Sequence, residues 1–199
     1  MQYLSQRLAA EPARTRDEER PRGTIAGDQR ERLLDATEAL IAEKGATGTT
    51  IEAIVKGAGI STVTFYEHFR DKDECFVAAF ERAVEELRAE VGVAIPADAS
   101  WGLRVGAGLG ALLTGIDAEP ARARLCFVEA QRGGSRMVER YDAALDAVAA
   151  ELDDSLGQAI VGGLAWVLRE RLELGGGGSV RDLLPQMAEV ILAPQLAHG

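Results

Sequence analysis

The 199-residue sequence predicts an all-α fold, a three-helix N-terminal unit followed by a larger helical body. Three observations carry that expectation. Apolar residues recur at three- and four-residue spacing through most of the chain, the period of a one-sided helix. Glycine, proline and hydroxyl residues punctuate these stripes where helices start and stop. No strand pair, internal repeat or heptad run competes with the pattern.

Residues 1–27 hold Pro12, Pro21, Gly23 and Gly27 amid mixed charge and read as a flexible arm. Its arginines are interleaved with Asp17, Glu18 and Glu19, so a solvated tail is the plainer reading and a brush against phosphates the sharper one. A first helix is expected over about 28–44, with Leu33, Leu34, Ala36, Leu40 and Ile41 as its stripe and Gly45 ending it.

Residues 49–72, TTIEAIVKGAGISTVTFYEHFRDK, are the most informative stretch. Thr49 or Thr50 caps a short helix, and Glu52 stands at capping-box spacing from Thr49. Ile51, Ile54, Val55 and Ala58 form its core face. Gly59 follows where the chain must turn sharply, because a residue without Cβ enters left-handed dihedrals unstrained. Ile60 then drops inward and Ser61 caps a second short helix. In it Val63, Phe65 and Phe69 are expected to face the core, leaving Ser61, Thr62, Thr64, Tyr66 and His68 on the other faces. This division suits a helix anchored on one side while short polar groups approach base edges and phosphates on the other.

Asp71 or Asp73 opens a long helix to about Val93, with Phe76, Val77, Phe80, Val84, Leu87 and Val91 as its stripe. After Pro96 and Asp98 comes a glycine-rich helix over roughly 100–115, whose glycines call for close packing or leave space for a ligand. Pro120 starts a helix that ends at Gly133-Gly134, and Ser135 caps the next, to about Asp154. Helices at 157–174 and about 180–196 flank the loop 175–179; either Ser179 caps the last one or Pro185 sits in its first turn.

At 47% hydrophobic and 27% charged, the composition is that of a globular protein. No apolar run reaches the roughly 18 residues of a membrane span. The first residues lack the apolar core of a signal peptide, so the cytoplasm is the expected compartment. Cys75 and Cys126 stand alone and read as small buried hydrophobes, so neither a metal nor a cofactor is expected. No P-loop, dinucleotide glycine motif or Ser/His/Asp grouping is present, and Glu129 with Glu139, the one nameable carboxylate pair, reads as surface charge. An enzyme is not expected.

From Arg30 to about Phe80 the chain resembles the DNA-binding domain of tetracycline-repressor-like (TetR family) regulators. The matching blocks are RLLDATEALIAEKG (32–45), TTIEAI (49–54), AGIS (58–61), TFYEHF (64–69) and DKDECFVAAF (71–80). The resemblance implies a ligand-responsive transcriptional regulator, a repressor in its simplest form, that binds a palindromic operator in double-stranded DNA as a homodimer. It implies an arm (1–27), a DNA-binding domain (28–72) and a ligand-binding and dimerisation domain (73–199). Thr50, Tyr66, His68 and Lys72 are then candidates for phosphate contacts, and Ser61, Thr62 and Thr64 for base-edge contacts; Thr50 as a plain cap and His68 as a packed side chain stay open.

Trp101, Phe127, Met137, Tyr141 and Trp166 are candidate walls of an effector pocket, against the plainer reading of core residues. Ile160, Leu164, Val167 and Leu168, with Met187 and Ile191, form stripes suited to a four-helix interface across a two-fold axis, unless they cover the chain's own core. Net charge opposes the DNA reading: it is −10 overall, and residues 28–75 hold six basic against ten acidic side chains. DNA binding therefore requires the bases to gather on the reading face; otherwise the fold survives as a protein-interaction module that has lost DNA.

Overall fold

The computed structural model describes residues 22–151, 157–174 and 178–196, in which every regular element is helical. In order these are α1 (Arg22–Gly48), α2 (Ile51–Ala58), α3 (Thr62–His68), α4 (Lys72–Ala94), α5 (Trp101–Ala118), α6 (Pro120–Phe127), α7 (Ser135–Glu151), α8 (Gly157–Leu174) and α9 (Leu184–Leu196). Short 3-10 turns occupy Glu129–Arg132 and Val180–Leu183. Most of the expected arm lies outside the described residues, as does most of the glycine loop; the arm's last residues, 22–27, open α1.

The apolar stripes become two cores. Leu33, Leu34 and Ile41 of α1, Ile54, Val55 and Ala58 of α2, and Phe65 and Phe69 around α3 close over Cys75 and Phe76 of α4. The same core runs on through Phe80, Ala83 and Leu87, where Leu125 and Cys126 of α6 and Met137 and Tyr141 of α7 join it. A second core unites Leu109, Leu113 and Ile116 of α5 with Leu168 of α8 and Met187 and Ile191 of α9, and Leu112 and Phe127 touch both. Both cysteines are free and buried, and burial raises their thiols, Cys75 to about 11 and Cys126 to about 12, so both stay protonated.

The glycines of α5 answer the packing question unevenly. A Cβ at Gly115 would lie 2.5 Å from the Glu90 carboxylate and 3.3 Å from Leu87, and one at Gly108 would lie 3.3 Å from Ile95, so these two let α4 and α5 approach closely. Gly106 faces open space.

Three expectations need correction. The helix expected from Pro120 to Gly133 stops at Phe127, and after Val128 the 3-10 turn 129–132 carries Glu129 inward; that carboxylate, read as surface charge, is only 4% exposed. The start of the last helix resolves into both alternatives, with Ser179 capping the 3-10 turn through the Arg181 amide and Pro185 in the first turn of α9. Finally, Leu168, Met187 and Ile191, expected at a two-fold interface, are buried within the chain's own second core, while Ile160, Leu164 and Val167 are half-buried beside it. Two neighbouring amphipathic helices bury their stripes against α5 first, because that partner is covalently tethered.

Leu168→Ala is therefore expected to cost about 2–5 kcal/mol of unfolding free energy, the range for a core leucine. Urea denaturation checks it, and a loss under about 0.5 kcal/mol, typical of a surface site, would put Leu168 outside the core.

Candidate nucleic-acid interface

The reader is built from caps outward. Thr50, not Thr49, caps α2: its Oγ1 accepts the Ala53 amide at 3.2 Å. Thr49 is instead buried, donating its hydroxyl to the Gly45 carbonyl at 2.9 Å, so the expected pairing of Thr49 with Glu52 does not form. Glu52, fully exposed, has its carboxyl held below the ordinary range by its own amide and by Thr50. Gly59 takes the left-handed turn (φ 63°, ψ 40°), its amide bonds the Lys56 carbonyl at 3.2 Å, and Ile60 bonds back to Val55 at 2.9 Å. Arg32 of α1 reaches over this turn and donates to the carbonyls of Ala58 and Gly59, bolting it to the scaffold.

Ser61 caps α3 by accepting the Thr64 amide at 3.1 Å, and its Oγ lies 3.0 Å from Thr64 Oγ1. Two of the three expected base readers are thus already engaged with each other. Phe65 and Phe69, 5.7 Å apart, anchor the inner side of α3, and the Arg30 guanidinium lies 5.5 Å from the Phe69 ring. Thr62 and Tyr66 face solvent, the Tyr66 ring set edge-on to Phe65 at 5.5 Å. His68 is half-buried, and its Nε2 is shielded without a hydrogen-bond partner among the described residues.

Val63 reverses its expected orientation. Placed inward by the sequence reading, it is 71% exposed. In a seven-residue helix the inward side is fixed by Phe65 and Phe69, four apart, and position 63 falls on the opposite side of that row. Its apolar surface therefore stands among Thr62 and Tyr66 on the outer face.

Lys72 is the first residue of α4, whose cap is Asp71 (Oδ1 to the Glu74 amide, 2.7 Å). Its Nζ donates to the Thr49 carbonyl at 3.0 Å and the Ala46 carbonyl at 3.3 Å and lies 5.2 Å from the Phe76 ring. Lys72 thus ties the end of α1 and the approach to α2 onto α4, beside Thr50. The structure brings the seven candidates together as two groups: Thr50 with Lys72 at the α2–α4 junction, and Ser61, Thr62, Thr64, Tyr66 and His68 along α3.

Part of the acid excess is paired with arginines. Arg82, three turns along α4, gathers Glu31 at 3.0 Å, Asp35 at 2.7 Å and Glu38 at 3.4 Å from α1. Arg70 holds Glu74 through both its amide (2.7 Å) and Nε (3.1 Å). Glu52 and Glu67 stay exposed near the reader.

The expected effector walls do not assemble. Met137 and Tyr141 belong to the first core and Trp101 packs on the second, with Phe127 between them. Trp166 is 53% exposed on the outer side of α8, since its neighbours Ala165 and Leu168 take the inward positions. An open cleft of about 410 Å³ between α7 and α8 is lined instead by Asp142, Leu145, Asp146, Ala149, Gln158, Val161 and Gly162.

A capped short helix with aromatic anchors inside and hydroxyls outside, set behind a left-handed glycine turn, defines a helix-turn-helix protein, here on an all-α body. Residues 33–79 match the family described as bacterial regulatory proteins, tetR family. The HTH-type transcriptional regulator AcrR of Shigella flexneri is 30% identical over 76 residues, 37% of this chain, and the match spans only 35% of that relative's length. Among solved structures, the fatty acid degradation regulator FadR from Bacillus halodurans superposes with a TM-score of 0.71 at 17% identity, over 82% of this chain and 94% of that one. The transcriptional regulator FadR from Bacillus subtilis, in complex with stearoyl-CoA, gives 0.66 at 14% identity, over 80% and 96%. At such identities the likeness to these structures is one of fold. Residues 33–79 thus carry the DNA-binding module described for the tetR family, and the helical body beyond them shares the fold of those regulators.

Ser61→Ala is expected to cost about 1 kcal/mol through loss of the α3 cap. Thermal unfolding followed by circular dichroism checks it, and an unchanged midpoint would mean that α3 does not depend on that hydroxyl.

Proposed function

We propose that the chain is a ligand-responsive repressor that binds a palindromic operator as a homodimer and is released by a small molecule. The observation that carries this reading is the outer face of α3, where Thr62, Val63 and Tyr66 stand exposed on a helix fixed from behind by Phe65 and Phe69. Thr62, with Ser61 and Thr64 at the capped end, faces base edges, and Val63 adds an apolar surface suited to a thymine methyl group. Thr50, Tyr66, His68 and Lys72 flank this row as phosphate contacts. Lys72 serves there while holding two carbonyls, because an ammonium has three donors.

Dimerisation is assigned to the outer sides of α8 and α9. Gly162, Gly163 and Trp166 on α8 and Val190 on α9 are exposed, and small residues beside a large aromatic favour close helix approach. The half-buried Ile160, Leu164 and Val167 border that side. The effector acts on the body, and the stearoyl-CoA held by the Bacillus subtilis relative makes a long-chain acyl thioester the first ligand to test. The acid excess of the reader supports a second reading, a protein-interaction module on the same fold.

Selection from random DNA followed by footprinting is expected to return an inverted repeat with half-site centres about 34–36 Å apart, one helical turn, or somewhat more. Thr62→Ala should alter sequence preference at a cost of about 1–3 kcal/mol, whereas Lys72→Ala should weaken all sequences alike and lower the salt slope by about one. No retention of any duplex at low salt would favour the interaction module. In sedimentation, Trp166→Glu should give a folded monomer; a variant that remains dimeric would remove the contact from this side of α8.

A further inference from the structure

We infer that Glu129 is a positioning residue for operator binding, a directed polar attachment by which the body fixes the orientation of the reader. This rests on the DNA-binding reading above. The first attachment is α4, which passes from reader to body as one helix. α1 also packs on α6 through the continuous first core, but apolar packing is non-directional, and a directed polar anchor off the α4 axis fixes the angle that such packing leaves adjustable.

Glu129 supplies that anchor. It lies on the 3-10 turn after α6, is buried, and its Oε2 accepts the Ala46 amide of α1 at 2.9 Å. The amide is presented by a break in α1 at Gly45 (φ 74°, ψ 168°), where an added Cβ would lie 3.2 Å from the same Oε2. The other carboxylate oxygen takes Arg124 at 3.3 Å and Arg132 at 3.1 Å. Arg132 in turn reaches Glu173 of α8 at 3.1 Å. On the reader side, the carbonyl of Ala46 accepts Lys72 Nζ at 3.3 Å.

An unbroken polar chain therefore runs from Lys72, at the DNA-facing start of α4, through Ala46, Glu129 and Arg132 to Glu173 on the helix assigned to the dimer. Burying a carboxylate carries a desolvation cost that ion pairs only offset, so such a group is a weak way to gain stability. What it provides is direction. Its two oxygens accept along fixed lines, so a displacement of α8 or of the 3-10 turn is passed to the end of α1 and to the lysine beside the DNA.

The test is an intramolecular distance that needs no DNA. Spin labels at exposed Glu52→Cys on α2 and Glu170→Cys on α8, with the two native cysteines buried, report reader against body in labelled protomers diluted with unlabelled ones. The otherwise unchanged protein is expected to give one narrow distance by double electron–electron resonance. Glu129→Gln keeps an acceptor for Ala46 and loses both ion pairs; Arg132→Gln, at a half-exposed side chain, cuts the link to α8 and folds even where the first variant does not. Both should broaden the distribution at unchanged helix content and, in unlabelled form, weaken the selected operator on the order of tenfold, the usual size of a coupling between sites. A narrow, unshifted distance in Arg132→Gln and in folded Glu129→Gln, even with a lowered melting point, overturns the inference, as does a broadened distance with unchanged operator affinity. Failure of the unsubstituted protein to bind any duplex instead sinks the DNA-binding reading, and the distances still decide whether Glu129 fixes the reader.

Discussion

The burial of α4 along its first four turns is the constraint on which the rest of the molecule depends. Cys75, Phe76, Val77, Ala79, Phe80, Ala83 and Leu87 are all buried, a run of about 18 Å at 1.5 Å per residue. Its first half completes the core of the three-helix reader and its second half the core of α6 and α7. Two units that each needed a buried partner have been given the same one. The reader therefore has no core of its own to retreat into, and any tilt of α4 demanded by the body is felt by Phe65 and Phe69 behind the outer face of α3. Close-packed interiors shift between discrete arrangements and do not yield continuously, which is the property a switch requires.

Charge is arranged around the same helix. A chain of net charge −10 meets a polyanion only if its acids are held away from the contact. Arg82 holds Glu31, Asp35 and Glu38 against the flank of α4, and burial raises the Glu38 carboxyl although Arg82 pulls it the other way. Arg122 does the same further along, pairing with Glu86 at 3.4 Å and Glu90 at 2.9 Å. Each arginine serves packing and electrostatics together, because it crosses between helices at points where apolar stripes leave their edges. Arg70 and Lys72, which follow α3 in the chain, are partly committed as well, so the expected attraction to DNA is modest and short in range.

What the sequence made legible follows the reach of each signal. Gly59, Ser61 and Phe65 were readable because a left-handed turn, a cap and an aromatic anchor are decided within four residues. The choice of Thr50 over Thr49 was not, since it depends on the Gly45 carbonyl, which claims the Thr49 hydroxyl from across a break in α1. Val63 was misread for a related reason: hydrophobicity says that a side chain prefers burial, but a seven-residue helix with two phenylalanine anchors has no inward position left. At Leu168 and Ile191 the stripes were correctly seen and wrongly assigned, because an apolar stripe carries no label for which partner covers it. Glu129 was misread as surface charge. Its burial is produced by α1 meeting the 3-10 turn 83 residues later, and a lone glutamate carries no local signal of that meeting.

Gly45 shows how one backbone requirement sets several polar contacts. Its dihedrals, φ 74° and ψ 168°, lie in a region that is essentially reserved to glycine. Any side chain there would pull α1 toward a regular helix. The Ala46 amide would then leave Glu129, and the carbonyls of Ala46 and Thr49 would leave Lys72. The hydroxyl of Thr49 would lose its acceptor in the same movement. One residue without a Cβ thus sets the end of α1, the entry to α2 and the placement of the lysine at the head of α4. The polar path from Glu129 to Lys72 runs through a residue whose only contribution is the conformation it permits.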